Sequence, residues 1–199
     1  ADQTVSVTTA DDDVAGFTVT ETEGSTGVSE SGSTDLFAIV LNTQPSSDVV
    51  LSITSSDTGE ATVDSLIQFT TANWDTPQNV TVTGVDDGII DGTQTSTITI
   101  TVVDAITDDD FDGVADQTVS VTTTDDDVAG FTIAETNGST GVDESGNTDT
   151  FTVVLNAEPS SNVVLDITSS DTGEATVTSS LTFTSCLLYT SDAADEADG

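Results

Sequence analysis

Thr-Thr-Thr-Asp-Asp-Asp-Val-Ala-Gly-Phe-Thr, residues 122–132, decides how this chain is read. The same stretch stands at residues 8–18, with Ala10 in place of Thr124. In both copies an alternating run leads in, with Val5 and Val7 before one and Val119 and Val121 before the other. Alternation at period two is the mark of a strand, and a charged run followed by a small flexible joint ends it. The stretch therefore reads as a seam between tandem modules. Three adjacent aspartates repel one another unless water, salt or a bound cation screens them.

Outward from the seam, residues 1–71 align without gaps on residues 115–185, an offset of 114 (115 minus 1). About three-quarters of the aligned positions are identical, which identifies a tandem repeat. The seam then sets the frame. Residues 1–13 are the C-terminal end of a preceding module, 14–127 are a complete module, and 128–185 are the N-terminal half of a following one. The chain reads as a window on a longer array. Residues 186–199 fall outside the repeat. Position 188 (74 plus 114) should repeat Trp74 but holds Leu188, and the sole Cys, Cys186, and sole Tyr, Tyr189, lie here. Cys-Leu-Leu-Tyr-Thr-Ser-Asp-Ala-Ala-Asp-Glu at 186–196 resembles translated sequencing adapter, so this tail is read as non-native and set aside.

Within the complete module, apolar residues alternate over 17–20, 36–41, 49–55, 67–70, 78–85, 96–103 and 117–123. Phe37, Ile39, Leu51, Ile53, Phe69, Val80, Val82, Ile98, Ile100 and Val121 are expected inside. Residues 24–34, rich in Gly, Ser and Thr, read as a loop carrying Glu30. Pro45, Asp57-Thr58-Gly59, Asp86-Asp87-Gly88 and Asp91-Gly92 mark turns. No stretch has a helical period. The fold class is all-β: tandem immunoglobulin-like antiparallel β-sandwich modules of about seven strands each. Trp74 is read as a packing anchor rather than a glycan platform.

The chain has 37 acidic residues and no Lys, Arg or His, a formal charge of -37. Nucleic acid and anionic membrane surfaces need basic contacts, so neither is an expected partner. No apolar run reaches the roughly 18 residues of a membrane span. One Cys excludes an internal disulfide framework, and the absence of His leaves no zinc or copper site. Carboxylate pairs of the glycosidase kind arise by chance in so acidic a chain, and no enzyme is expected.

Val28-Ser29-Glu30-Ser31-Gly32, Asn79-Val80-Thr81-Val82-Thr83-Gly84-Val85-Asp86-Asp87 and Asp125-Asp126-Asp127 together resemble the Calx-β domain. The Trp74 stretch followed by Gly84-Val85-Asp86-Asp87 is similar to tandem repeats of very large secreted bacterial adhesins. The resemblance implies a seven-stranded sandwich that binds Ca²⁺ at one end. The ligands it implies are Glu30, Asp86, Asp87, Asp125, Asp126 and Asp127. Asp91 and Gln94 stand where the family often has two Glu residues, so Asp91 joins the candidate set. Asp64 matches a further family Asp, but its counterpart in the next repeat is Thr178, which implies fewer or weaker ions. Calcium suits such a donor set, because it takes six to eight oxygen ligands in irregular geometry. Asp108-Asp109-Asp110-Phe111-Asp112-Gly113 matches the opening of an EF-hand loop, but Val119 stands where the bidentate Glu belongs. It is read as a solvated loop.

The expected function is a calcium-binding structural extender of a long secreted or cell-surface bacterial adhesin-like protein. Its expected partners are calcium ions and neighbouring modules, with cell-surface or glycan ligands engaged through other parts of the full protein. The alternatives are a module that itself binds a glycan or a cell, and an accessory array of a secreted enzyme.

Overall fold

The computed structural model describes residues 2–185 and 189–195. It divides into two units: Ala1–Asp86 with Thr93–Thr124, and Asp87–Gly92 with Asp125–Gly199. Among the described residues no helix is long and apolar enough to cross a membrane.

Unit 1 contains nine strands: β1 (Phe17–Glu21), β2 (Thr26–Ser29), β3 (Thr34–Leu41), β4 (Val49–Ser55), β5 (Ala61–Val63), β6 (Leu66–Phe69), β7 (Gln78–Gly84), β8 (Gln94–Val102) and β9 (Gln117–Thr124). They form a four-stranded sheet, β1-β3-β7-β5, and a five-stranded sheet, β2-β9-β8-β4-β6. Both sheets contribute to one apolar core, which makes the unit a sandwich. The ten residues expected inside are all 2 % exposed or less. Alternation explains this directly, since each strand sends every second side chain inward and leaves Thr and Ser facing water. Trp74 is half-buried and packs on the same core, as expected.

Two strands depart from the sequence reading. Residues 24–34 are not all loop, because β2 forms there and pairs parallel with β9, Thr26 opposite Val121 and Ser29 opposite Thr124. The Asp57-Thr58-Gly59 turn leads straight into β5, which pairs with β7. A two-sided strand such as β9 needs neighbours on both edges, and β2 closes the edge that β8 leaves. Gly84, at the end of β7, permits a close backbone approach. A Cβ there would lie 2.1 Å from the Ser29 carbonyl oxygen.

Residues 2–16 form no strand. Their first part repeats β9 letter for letter, Ala-Asp-Gln-Thr-Val-Ser-Val-Thr-Thr at 1–9 and at 115–123. Val5 is 87 % exposed, whereas Val119 is 2 % exposed. The same local propensity gives a strand only where β8 and β2 flank it.

Unit 2 contains β10 (Phe131–Glu135), β11 (Thr148–Leu155), β12 (Val163–Asp166), β13 (Thr176–Val177), β14 (Ser180–Phe183) and β15 (Tyr189–Asp195). Its sheets are β10-β11-β15-β13 and the pair β12-β14. The small core holds Val153, Leu155, Leu181 and Phe183. Local staples recur from unit 1. Asp35 accepts from the Gly27 amide, and Asp149 accepts from the Gly141 amide, each at 2.9 Å. The burial does not recur: Phe131 is 51 % exposed, and Phe17, its counterpart, 3 %.

The sequence reading set residues 186–199 aside, yet residues 189–195 of that stretch lie along the edge of β11. The edge is covered. The backbone of β15 pairs with β11, Thr148 opposite Asp195 through Val154 opposite Tyr189, and occupies the place that β7 takes in unit 1. An open edge is a template for any extended segment beside it. Residues 1, 186–188 and 196–199, which include Cys186, Leu188 and Glu196, lie outside the described residues.

Candidate metal centre

Glu30 follows β2, and its amide donates to the Thr124 carbonyl at 3.1 Å, at the exit of β9. The parallel pairing of β2 with β9 thus carries Glu30 to the point where the Asp triplet leaves the sheet. Gly84 holds the end of β7 against Ser29, immediately before Glu30. Glu30 is buried, 1 % exposed.

Glu60 stands at the turn before β5. Its carbonyl accepts from the Val85 amide at 2.9 Å and from the Thr123 hydroxyl at 3.4 Å. The ends of β5, β7 and β9 therefore meet at this residue. Glu60 is also buried, and its carboxylate oxygen lies within 4.8 Å of one from Glu30. Two carboxyl groups this close in a buried site hold a shared proton or a shared cation. The sequence has no Lys, Arg or His to place between them. The donors are all oxygen, which suits a hard divalent cation such as Ca²⁺ and no soft metal.

Glu60 was not among the residues expected from the sequence, because it stands in a segment that reads as a turn. A signal was present: Glu30 and Glu60 recur as Glu144 and Glu174, 114 residues on. In unit 2, Glu144 and Glu174 are both exposed.

The other expected ligands divide as follows. In unit 2, Asp87 and Asp127 bring carboxylate oxygens within 4.8 Å of each other. Asp125 shapes the same segment, accepting from the Gly92 and Asp127 amides, each at 2.8 Å. Asp91 is exposed beside Gly92, and Asp86 and Asp126 are exposed.

The Asp108–Asp112 stretch has another role. Asp108 is 3 % exposed. One of its oxygens accepts from the Ser46 hydroxyl, the Ser46 amide and the Ser47 amide at 2.7 Å each. The Ser46 hydroxyl, with the amides of Ser47, Asp110 and Ser46, holds its pKa down at about 2 against the opposing effect of burial. Phe111 is buried in the core beside it. The motif therefore ties the β3–β4 turn to the β8–β9 connection, with protein donors in the place of an ion. The solvated-loop reading holds for the side chains of Asp109, Asp110 and Asp112, which are exposed.

No family model matches the chain, and no curated protein matches it. Solved structures do. The chain is similar to CBD12 from CALX1.2, at 15 % identity and a TM-score of 0.41, over 91 % of this chain and 76 % of that one. It is similar to the apo-form Calx CBD1 domain at 16 % identity and a TM-score of 0.41, over 56 % of this chain and 98 % of that one. It is also similar to domains 4–9 of the surface layer protein SbsC, at 15 % identity and a TM-score of 0.34, over 90 % of this chain and 26 % of that one. These are likenesses of fold, and no residue role is carried over from them.

Proposed function

We propose that this chain is a stretch of calcium-stiffened spacer modules from a long secreted or surface-bound bacterial protein. The observation that supports this reading is the buried Glu30–Glu60 carboxylate pair in a chain without one basic side chain. Calcium is the extracellular cation such a donor set suits. Further candidate oxygens stand in the acidic segments that follow β7 and β9 in the sequence. Asp87 is two residues beyond Val85, whose amide is bonded to Glu60, a reach of at most about 7 Å. Asp127 is three residues beyond Thr124, whose carbonyl is bonded to Glu30, a reach of at most about 10 Å. Asp87 and Asp127, whose own carboxylate oxygens lie within 4.8 Å of each other, and Asp91 are further oxygen donors of the chain in this reading. Asp125 holds its segment in shape, and Asp86 and Asp126 add negative field.

The consequence is mechanical. An ion here neutralises two charges and ties the exit of β9 to the turn before β5. The strand that closes one module is the strand that leads to the next, so the ion stiffens the seam. A string of such modules holds its far end away from the cell. No reaction is assigned to this chain, and adhesion itself belongs to other parts of the full protein. Trp74 packs on the core, so the glycan-binding alternative gains no support from it.

The test is a thermal melt of the chain with Ca²⁺ and with chelator, at matched ionic strength, alongside calorimetric titration. A stabilisation of about 2.7 kcal/mol is expected at a hundredfold excess over Kd. Extracellular modules bind at about 10⁻⁴ to 10⁻³ M, so the response should come near millimolar calcium. No binding heat and no shift would leave a passive acidic spacer.

A further inference from the structure

The inward row of β8 is Ser96, Ile98, Ile100 and Val102, all buried, while Thr95 and Thr97 face water. Ser96 is the one polar member of that row, and it is 0 % exposed. Its hydroxyl has no hydrogen-bond partner. Thr26, Thr107 and Thr123 are the other buried hydroxyls among the described residues of unit 1, and each has one. Thr26 donates to the Glu21 carboxylate, Thr107 to the Val50 carbonyl and Thr123 to the Glu60 carbonyl. A hydroxyl buried without a partner costs stability, and an alanine would fill the same place without that cost. The serine therefore needs a reason.

Its place in the sheet supplies one. Ser96 stands opposite Val121, and Gln94 opposite Thr123. Ser96 and Thr123 are thus diagonal neighbours on the inner face. Thr123 is bonded to Glu60, and the next residue, Thr124, accepts from the Glu30 amide. Ser96 lies between the apolar row of β8 and the end of the sandwich that holds the acidic pair. We infer that the Ser96 hydroxyl is the core-side floor of the calcium centre, a neutral oxygen that helps to hold the ion against Glu30 and Glu60. This rests on the calcium reading proposed above and deepens it. Two carboxylates supply charge but leave unfilled part of the six to eight oxygens that calcium takes. Water can supply oxygens from the outer side. On the core side the protein must supply them, and a hydroxyl does so without placing a third negative charge in a buried site.

The experiment is a calorimetric calcium titration of the full 199-residue chain, with melts in chelator alongside. Ser96→Ala should raise the Kd for calcium about tenfold, the scale on which residues that support a metal's ligands act. In chelator its melting temperature should stay level or rise, because the orphaned hydroxyl is gone. A merely structural serine would not separate the two readouts in this way. Thr97→Ala, one position on and facing water, should leave the Kd unchanged. An unchanged Kd in Ser96→Ala, where the unaltered chain binds calcium, overturns the role of Ser96 and leaves the calcium centre standing. A lower melting temperature in chelator would make Ser96 a packing residue and overturn the inference as well. No calcium binding by the unaltered chain would overturn both this inference and the reading on which it rests.

Discussion

Glu30 and Glu60 come from segments 30 residues apart, and their carboxylate oxygens lie within 4.8 Å of each other inside unit 1. Each is positioned through its backbone, Glu30 by Thr124 and Glu60 by Val85 and Thr123. Replacing the side chains should therefore leave the strands in place and change the charge alone. Glu30→Gln with Glu60→Gln should abolish most of the calcium-dependent rise in melting temperature, while the metal-free stability stays level or rises. Retention of the full calcium shift in that variant would move the ion elsewhere.

Asp108 supplies a pH dependence of known sign. Its folded pKa, about 2, lies below the ordinary aspartate value of 3.8. A depressed carboxyl pKa contributes stability that is present above about pH 4 and is lost as pH falls toward 2. Asp108→Asn should cost about 2 kcal/mol near neutral pH and flatten the acid limb of the stability curve. Urea melts between pH 2 and pH 6 check both. Calcium binding should be unchanged, which separates this staple from the metal centre.

Gly84→Ala tests the close approach of β7 to Ser29. The added methyl would meet the Ser29 backbone, which has little room to give. A loss of about 1–3 kcal/mol is expected. Gly113→Ala is the control, since a Cβ there meets nothing within 4 Å. Equal urea midpoints for the two variants would show that the sheet end can open at little cost.

Removal of residues 1–13 should leave the stability of unit 1 within about 0.5 kcal/mol of the intact chain, because residues 2–13 form no strand and are exposed. A larger drop in the calorimetric melt would mean that this segment supports the unit.

Most of unit 1 was legible in the sequence because inward residues alternate. Phe37 with Ile39, Leu51 with Ile53 and Ile98 with Ile100 each declare a face without reference to anything distant. β2 was not legible. Thr-Gly-Val-Ser carries little strand signal, and its pairing partner β9 lies 95 positions away (121 minus 26). Glu60 was hidden for a related reason, since the burial of a carboxylate is a property of the assembled ends of three strands. The Asp125–Asp127 run was conspicuous as charge, but its division of labour was not. Only backbone geometry shows that Asp125 supports its neighbours. The Asp108 motif looked like half of an ion loop, and the serines that satisfy it stand more than 60 positions earlier.

The pairing of Thr26 with Val121 has a consequence for how such an array is made. The segment after the first strand waits for the last one, so a module emerging during synthesis cannot finish folding until its final residues arrive. Long-range closure of this kind is slow compared with local pairing. In unit 1 the buried acidic pair is therefore assembled only once β9 has joined β2.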